Sequence, residues 1–140
     1  MPSDSRARSL VDLGGRRVCA TPRSTTLKRI ADDPSHPIPV VVPQRTDCLV
    51  ALQQGKVDAI ASDDAILLGF REQDPNTKLI GPRLEDEPYG MAIDKRHPEF
   101  VRYVNGVLAR MRADGTWQRI YRRWLGDLAA TPQPPVARYR

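Results

Sequence analysis

The chain has 140 residues, 40% of them hydrophobic and 28% charged, with a formal net charge of +5 and a pI near 9.6. That length supports one ordinary domain or less around a single modest core, and the composition excludes an intrinsically disordered chain. No apolar run approaches the ~20 residues that span a bilayer, and the polar residues 1–8 carry no apolar h-region of a secretory signal.

The positive charge would suit a nucleic acid or an acidic membrane. The arginines, however, are spread along the chain, and no nucleic-acid motif accompanies them. The densest group, Arg119, Arg122 and Arg123, shares its segment with Trp117, Tyr121 and Trp124 and reads as a solvated cationic surface. Two cysteines, Cys19 and Cys48, form no CxxC, and His36 and His97 lie far from them, so no zinc site and no metal is expected. Two buried thiols and a disulfide between neighbouring elements both fit these residues. The second requires an oxidising compartment.

In chain order, residues 1–9 read as a polar tail and residues 10–15 as an apolar lead-in closed by a glycine turn. Residues 16–21 read as a short strand, with Val18 and Ala20 alternating around Cys19. The polar loop 22–26 then opens a helix through about Ala31, with Ser24 or Thr25 as its N-cap. The first backbone N–H groups of such a helix have no internal acceptor and suit an anion. A plain capped turn accounts for the same residues. A proline-bearing loop, 32–39, leads to the β-branched strand 39–42. Residues 46–54 form the next helix, stopped by Gly55.

Residues 57–62 alternate Val57, Ala59 and Ala61 with Asp58, Ile60 and Ser62, which is the period of a strand. Two aspartates, Asp63 and Asp64, interrupt it. With the apolar run Ala65, Ile66, Leu67 and Leu68 after them, residues 63–73 read as the next helix. An acid at this junction is favoured by the helix dipole and caps free N–H groups. It also stands at the carboxyl end of a strand, where open α/β sheets bind ligands. From these residues alone the cap suffices. A turn at 74–76 and a fourth strand at 79–81 complete a β-α-β-α-β-α-β order over residues 16–81, the signature of a parallel α/β sheet.

An acidic, proline-bounded connector with Glu85, Asp86 and Glu87 precedes a strand at 89–93. Residues 98–113 form a helix with Phe100, Val101, Val104, Val107, Leu108 and Met111 on one face. Asp114-Gly115 ends it. Residues 116–125 form a last helix whose stripe is Trp117, Ile120, Tyr121 and Trp124, read as core packing rather than a base-stacking platform. The proline-bearing 129–140 reads as a tail.

Four stretches, taken in this order, carry a family likeness: the lead-in Leu10-Val-Asp-Leu-Gly-Gly-Arg-Arg-Val18 with its Ser24-Thr25 loop; the run from Cys48 to Leu68; Glu87-Pro-Tyr-Gly-Met-Ala-Ile93; and Val104-Asn-Gly-Val-Leu, Asp114-Gly-Thr-Trp and Ile120-Tyr-Arg-Arg-Trp-Leu-Gly126. The chain resembles the extracytoplasmic solute-binding proteins of family 3, which deliver polar amino acids to ABC importers. The resemblance implies a type II periplasmic-binding-protein-like α/β lobe with a parallel-rich sheet and flanking helices. C-terminal helices would follow and pack on a first lobe. It divides the chain into a tail (1–9), a second ligand-binding lobe (10–88), a return strand with C-terminal helices (89–128) and a proline-rich tail (129–140). The first lobe and a lipoprotein signal would precede residue 10 and are not in this sequence. The expectation is therefore a truncated member whose last helices either fold back differently or expose apolar faces that promote self-association.

Within the lobe, the resemblance implies that Asp63 binds the ligand ammonium, with Ser62 beside it in the ligand-binding set. Ser24 and Thr25 would hold the ligand carboxylate, and Thr21 would face its side chain. Arg23 departs from the glycine common at its place. The cysteine pair is similar to the actinobacterial glutamate/glutamine-type branch, which implies a Cys19–Cys48 disulfide. The implied partners are a free polar amino acid such as glutamate or glutamine and a membrane permease, outside the cytoplasm, with no cofactor, no nucleic acid and no catalysis. Two other readings stand beside it. One is an enzyme on the same scaffold, dehydratase-like or the sensing part of a lytic enzyme. The other is a basic interaction module using the arginine-rich last helix.

Overall fold

The computed structural model describes residues 1–82 and 89–126, together with residues 133, 134 and 136. The acidic connector and most of the proline-rich tail lie outside the described residues. The chain divides into two compact units, Met1–Asp86 and Glu87–Arg140.

The first unit is built on a three-stranded parallel sheet. Strands β1 (Arg17–Ala20), β2 (Ile38–Val41) and β3 (Ala59–Ile60) lie in the order β2-β1-β3. Helices α1 (Thr25–Ala31), α2 (Arg45–Gln53) and α3 (Asp64–Gln73) connect and follow them. The central strand explains the arrangement. In a sheet covered on both sides, a middle strand must be apolar on both faces, and Val18, Cys19 and Ala20 are at most 1% exposed. Val18 and Ala20 point into one core with Leu13, Ile30, Ala59 and Met1. Cys19 points the other way, into a second core with Cys48, Leu52 and Val57. Cys19 and Cys48 are disulfide-bonded with their Cα atoms 5.6 Å apart, tying β1 to α2.

Register fixes what the loops can reach. Cys19 lies opposite Val40 on one side and Ile60 on the other. The Asp58 and Ala61 N–H groups donate to the Arg17 and Cys19 carbonyls at 2.8 and 2.9 Å, extending β3's pairing beyond its two ladder residues. Asp58 also locks the strand ends from the side. Its carboxylate accepts from the Arg17 backbone N–H at 2.8 Å and from the Arg17 Nε at 3.1 Å. These bonds, the side-chain one foremost, hold the Asp58 carboxyl below the usual carboxylate range. Gly55, at φ 66°, ends α2 in the left-handed conformation that a Cβ disfavours.

Three expectations change here. Residues 1–9 are not a free polar tail. Met1 is 9% exposed, and its carbonyl accepts from the Lys78 N–H at 2.9 Å. Pro2 bridges Thr77 in antiparallel sense, and Lys78 Nζ donates to the Ser5 carbonyl. Most of the polar contacts are to main-chain groups, which side-chain polarity does not announce. The fourth strand at 79–81 does not join the sheet, which has three strands. Ile80 instead packs on the first core as a single side chain. The strand expected at 89–93 does not form either. Residues 89–93 adopt no strand, and Tyr89 and Met91 are 84% and 67% exposed.

The second unit is a helical hairpin of α4 (Pro98–Ala113) and α5 (Thr116–Leu125). Pro98 sits at the helix start, where its missing N–H has no cost. Gly115, at φ 76°, makes the turn between the helices. Trp117 stacks on Tyr121 with ring centroids 5.0 Å apart. The stripes predicted as core are only half-covered. Neither helix has a fully buried residue, and Phe100 and Trp124 are 51% and 70% exposed. Among the described residues no helix is long and apolar enough to cross a membrane.

Candidate functional site

The carboxyl ends of β1 and β3 carry the residues in question. Because the two strands are adjacent and parallel, with Cys19 opposite Ile60, the loops that leave them emerge at one end of the sheet, side by side. The first loop, 21–24, holds Thr21, Arg23 and Ser24. The second, 61–63, holds Ser62 and Asp63. The β1-α1 and β3-α3 junctions thus bring together every residue singled out for ligand binding.

Ser24 is the N-cap of α1. Its Oγ accepts from the Leu27 N–H at 3.0 Å and donates to the Thr21 carbonyl at 2.8 Å. The hydroxyl proton is therefore engaged in closing the loop. What Ser24 contributes in this state is the position of Thr21 and of the first helical turn, more than a spare donor. Thr25 is the first residue of α1 and is exposed. Thr21 and Ser62 are half-buried.

Asp63 occupies the N-cap position of α3, but its side chain makes no capping hydrogen bond to the helix. Its carbonyl accepts from the Ile66 and Leu67 N–H groups at 3.0 Å each. Asp64 opens the helix, and its Oδ1 accepts from the Ala65 N–H at 2.8 Å. Both side chains are half-buried. A half-buried carboxylate between a strand end and a helix start can receive a cation through charge-assisted hydrogen bonds. Among the described residues no group of three His, Cys, Asp or Glu could hold a metal ion. Neither His36 nor His97 belongs to these loops.

One feature of the loop was not legible beforehand. Arg23 is exposed and has φ 58°, a conformation glycine takes freely and arginine rarely.

A parallel three-stranded sheet with flanking helices, followed by a helical hairpin, is the type II periplasmic-binding-protein architecture. The solved structure of an ancestral arginine-binding protein bound to arginine superposes with a TM-score of 0.71 at 30% identity, over 89% of this chain and 57% of that one. The family model of the bacterial extracellular solute-binding proteins, family 3, matches residues 25–127, and the chain belongs to that family. It is 31% identical over 124 residues to the ABC transporter glutamine-binding protein GlnH of Bacillus subtilis, covering 88% of this chain and 45% of GlnH. It is 34% identical over 135 residues to the glutamate-binding protein GluB of Corynebacterium glutamicum, covering 89% and 44%. The chain thus spans less than half the length of either relative.

Proposed function

We propose that this chain supplies one side of an amino-acid clamp in an ABC importer's solute-binding unit, acting outside the cytoplasm. In this reading residues 10–88 are the second ligand-binding lobe, and the helical hairpin packs on a complementary lobe. Asp63 receives the ligand ammonium, with Ser62 beside it. The start of α1, set by Ser24 and Thr25, receives the carboxylate, and Thr21 lines the side-chain end. The observation that carries the reading is the register of β1 beside β3, which brings these two loops out together at the sheet's carboxyl end. Family membership, glutamine- and glutamate-binding relatives and the disulfide support the ligand class and the oxidising compartment. No catalytic step is invoked.

With half a cleft, the ligand keeps water on its other side and lacks the opposing hydrogen bonds. Binding by this chain alone is then weaker than millimolar. Titration of the 15N-labelled chain with glutamine or glutamate tests the reading. The expected result is weak, saturable shifts at the amides of Thr21, Thr25, Ser62 and Asp63, lost in Asp63→Asn. Shifts that persist unchanged in Asp63→Asn, or none at those amides, would count against it.

A further inference from the structure

Among the described non-glycine residues, Arg23 and His36 have positive φ, at 58° and 54°. His36 has a local reason. Its N–H donates to the Asp33 carbonyl at 3.0 Å, and its own carbonyl accepts from the Gly15 N–H at 3.1 Å, so the turn is fixed from both sides. Arg23 has no such reason. It is exposed, and among the described residues its side chain has no hydrogen-bond or ion-pair partner. Glycine would hold the loop at this place without the clash that a Cβ meets in the left-handed region. Strain kept at a position where structure does not need it points to what the side chain does.

The location supplies the rest. Arg23 lies in the loop between the end of β1 and Ser24, between Thr21 and the start of α1, beside the loop bearing Asp63. Two carboxylates, Asp63 and Asp64, stand at that end of the sheet. A ligand with an acidic side chain would bring a further negative charge to them, and a basic one would be drawn in. A cation on the neighbouring loop offsets part of that bias, and its long flexible stem lets it reach the side-chain end of a bound amino acid, where it meets a ligand's side-chain charge directly.

We infer that Arg23 is a specificity-determining residue that turns the site toward amino acids with an acidic side chain and away from basic ones. The inference rests on the amino-acid-binding reading above.

The test is amide-shift titration of the whole chain with L-glutamate, L-glutamine and L-arginine at constant ionic strength, in wild type, Arg23→Gly and Arg23→Lys. Glycine suits the observed φ, so Arg23→Gly keeps the fold. The wild type should take glutamate in preference to glutamine and arginine. Arg23→Gly should lower the glutamate-to-glutamine preference by about two- to fivefold, the scale of an exposed charge pair. Arg23→Lys should retain it. An unchanged ratio in Arg23→Gly, with shifts still present for every ligand, overturns the role of Arg23 alone. If no amino acid moves the Thr21, Thr25, Ser62 or Asp63 amides in wild type, the amino-acid reading fails and the inference falls with it.

Discussion

Reducing the Cys19–Cys48 bond should remove a large part of the stability of the first unit. The bond closes a loop between residues 29 apart in sequence. In the chain-entropy treatment a loop of that length withholds about 12 cal/mol/K from the unfolded chain, or ~3.6 kcal/mol at 25 °C. A domain of this size holds roughly 4–13 kcal/mol in all. Both cysteines are at most 1% exposed in the second core, so reduction also leaves two thiols crowded where one bridge fitted. With a urea m-value of about 1 kcal/mol/M for a unit this small, the midpoint should fall by about 3.6 M. Tryptophan fluorescence is the wrong probe, because Trp117, Trp124 and all four tyrosines lie beyond residue 86. Backbone amide exchange at Val18, Cys19 and Ile60, with and without reductant, reads the first unit directly. A Cys19→Ala/Cys48→Ala pair separates lost cross-linking from reductant effects. A midpoint shift below about 1 M, with unchanged exchange at those amides, would refute the claim that the bridge holds β1 to α2.

Other outcomes follow from single contacts. Ser24→Ala removes the acceptor of the Leu27 N–H and the Thr21 tether, and should cost about 1 kcal/mol in urea unfolding of the first unit. A cost near zero would show that the cap is not needed. Asp58 has its carboxyl lowered by Arg17, so its stabilisation is present above the unfolded-state value near pH 4 and is lost as pH falls through the lower folded value. Asp58→Asn should flatten that acid limb and cost about 1 kcal/mol at pH 7. An acid limb as steep as in wild type would contradict it. The exposed face of the helical hairpin should make the isolated chain self-associate with rising concentration. Trp124→Gln should weaken this in sedimentation equilibrium, and a strictly monomeric wild type would rule it out.

Much of the architecture was legible because its signals are local. Pro98 and Asp114-Gly115 bracket α4, Gly55 stops α2, and Ser24 caps α1, each by a backbone rule that does not depend on the rest of the chain. The strands at 79–81 and 89–93 were misread for the opposite reason. Their short apolar stretches suit a strand, but whether a stretch joins a ladder is a property of the whole sheet. Residues 1–9 were misread because main-chain bonds to Thr77 and Lys78 leave no mark in side-chain type. At the candidate site, Asp63 at the strand-to-helix junction was visible as a cap, and the register beside β1 gives it neighbours. The engagement of the Ser24 hydroxyl by Thr21 and the left-handed Arg23 depend on dihedral angles that residue names do not specify.

The central claim is that an amino acid binds between the β1-α1 and β3-α3 loops with its ammonium on Asp63. A crystal structure of this chain soaked in concentrated glutamate or glutamine tests that most directly. The ligand nitrogen should lie within about 3.2 Å of an Asp63 carboxylate oxygen, with the ligand carboxylate at the start of α1. A ligand seated at the opposite end of the sheet, or one at the predicted end that leaves Asp63 uncontacted, would contradict it.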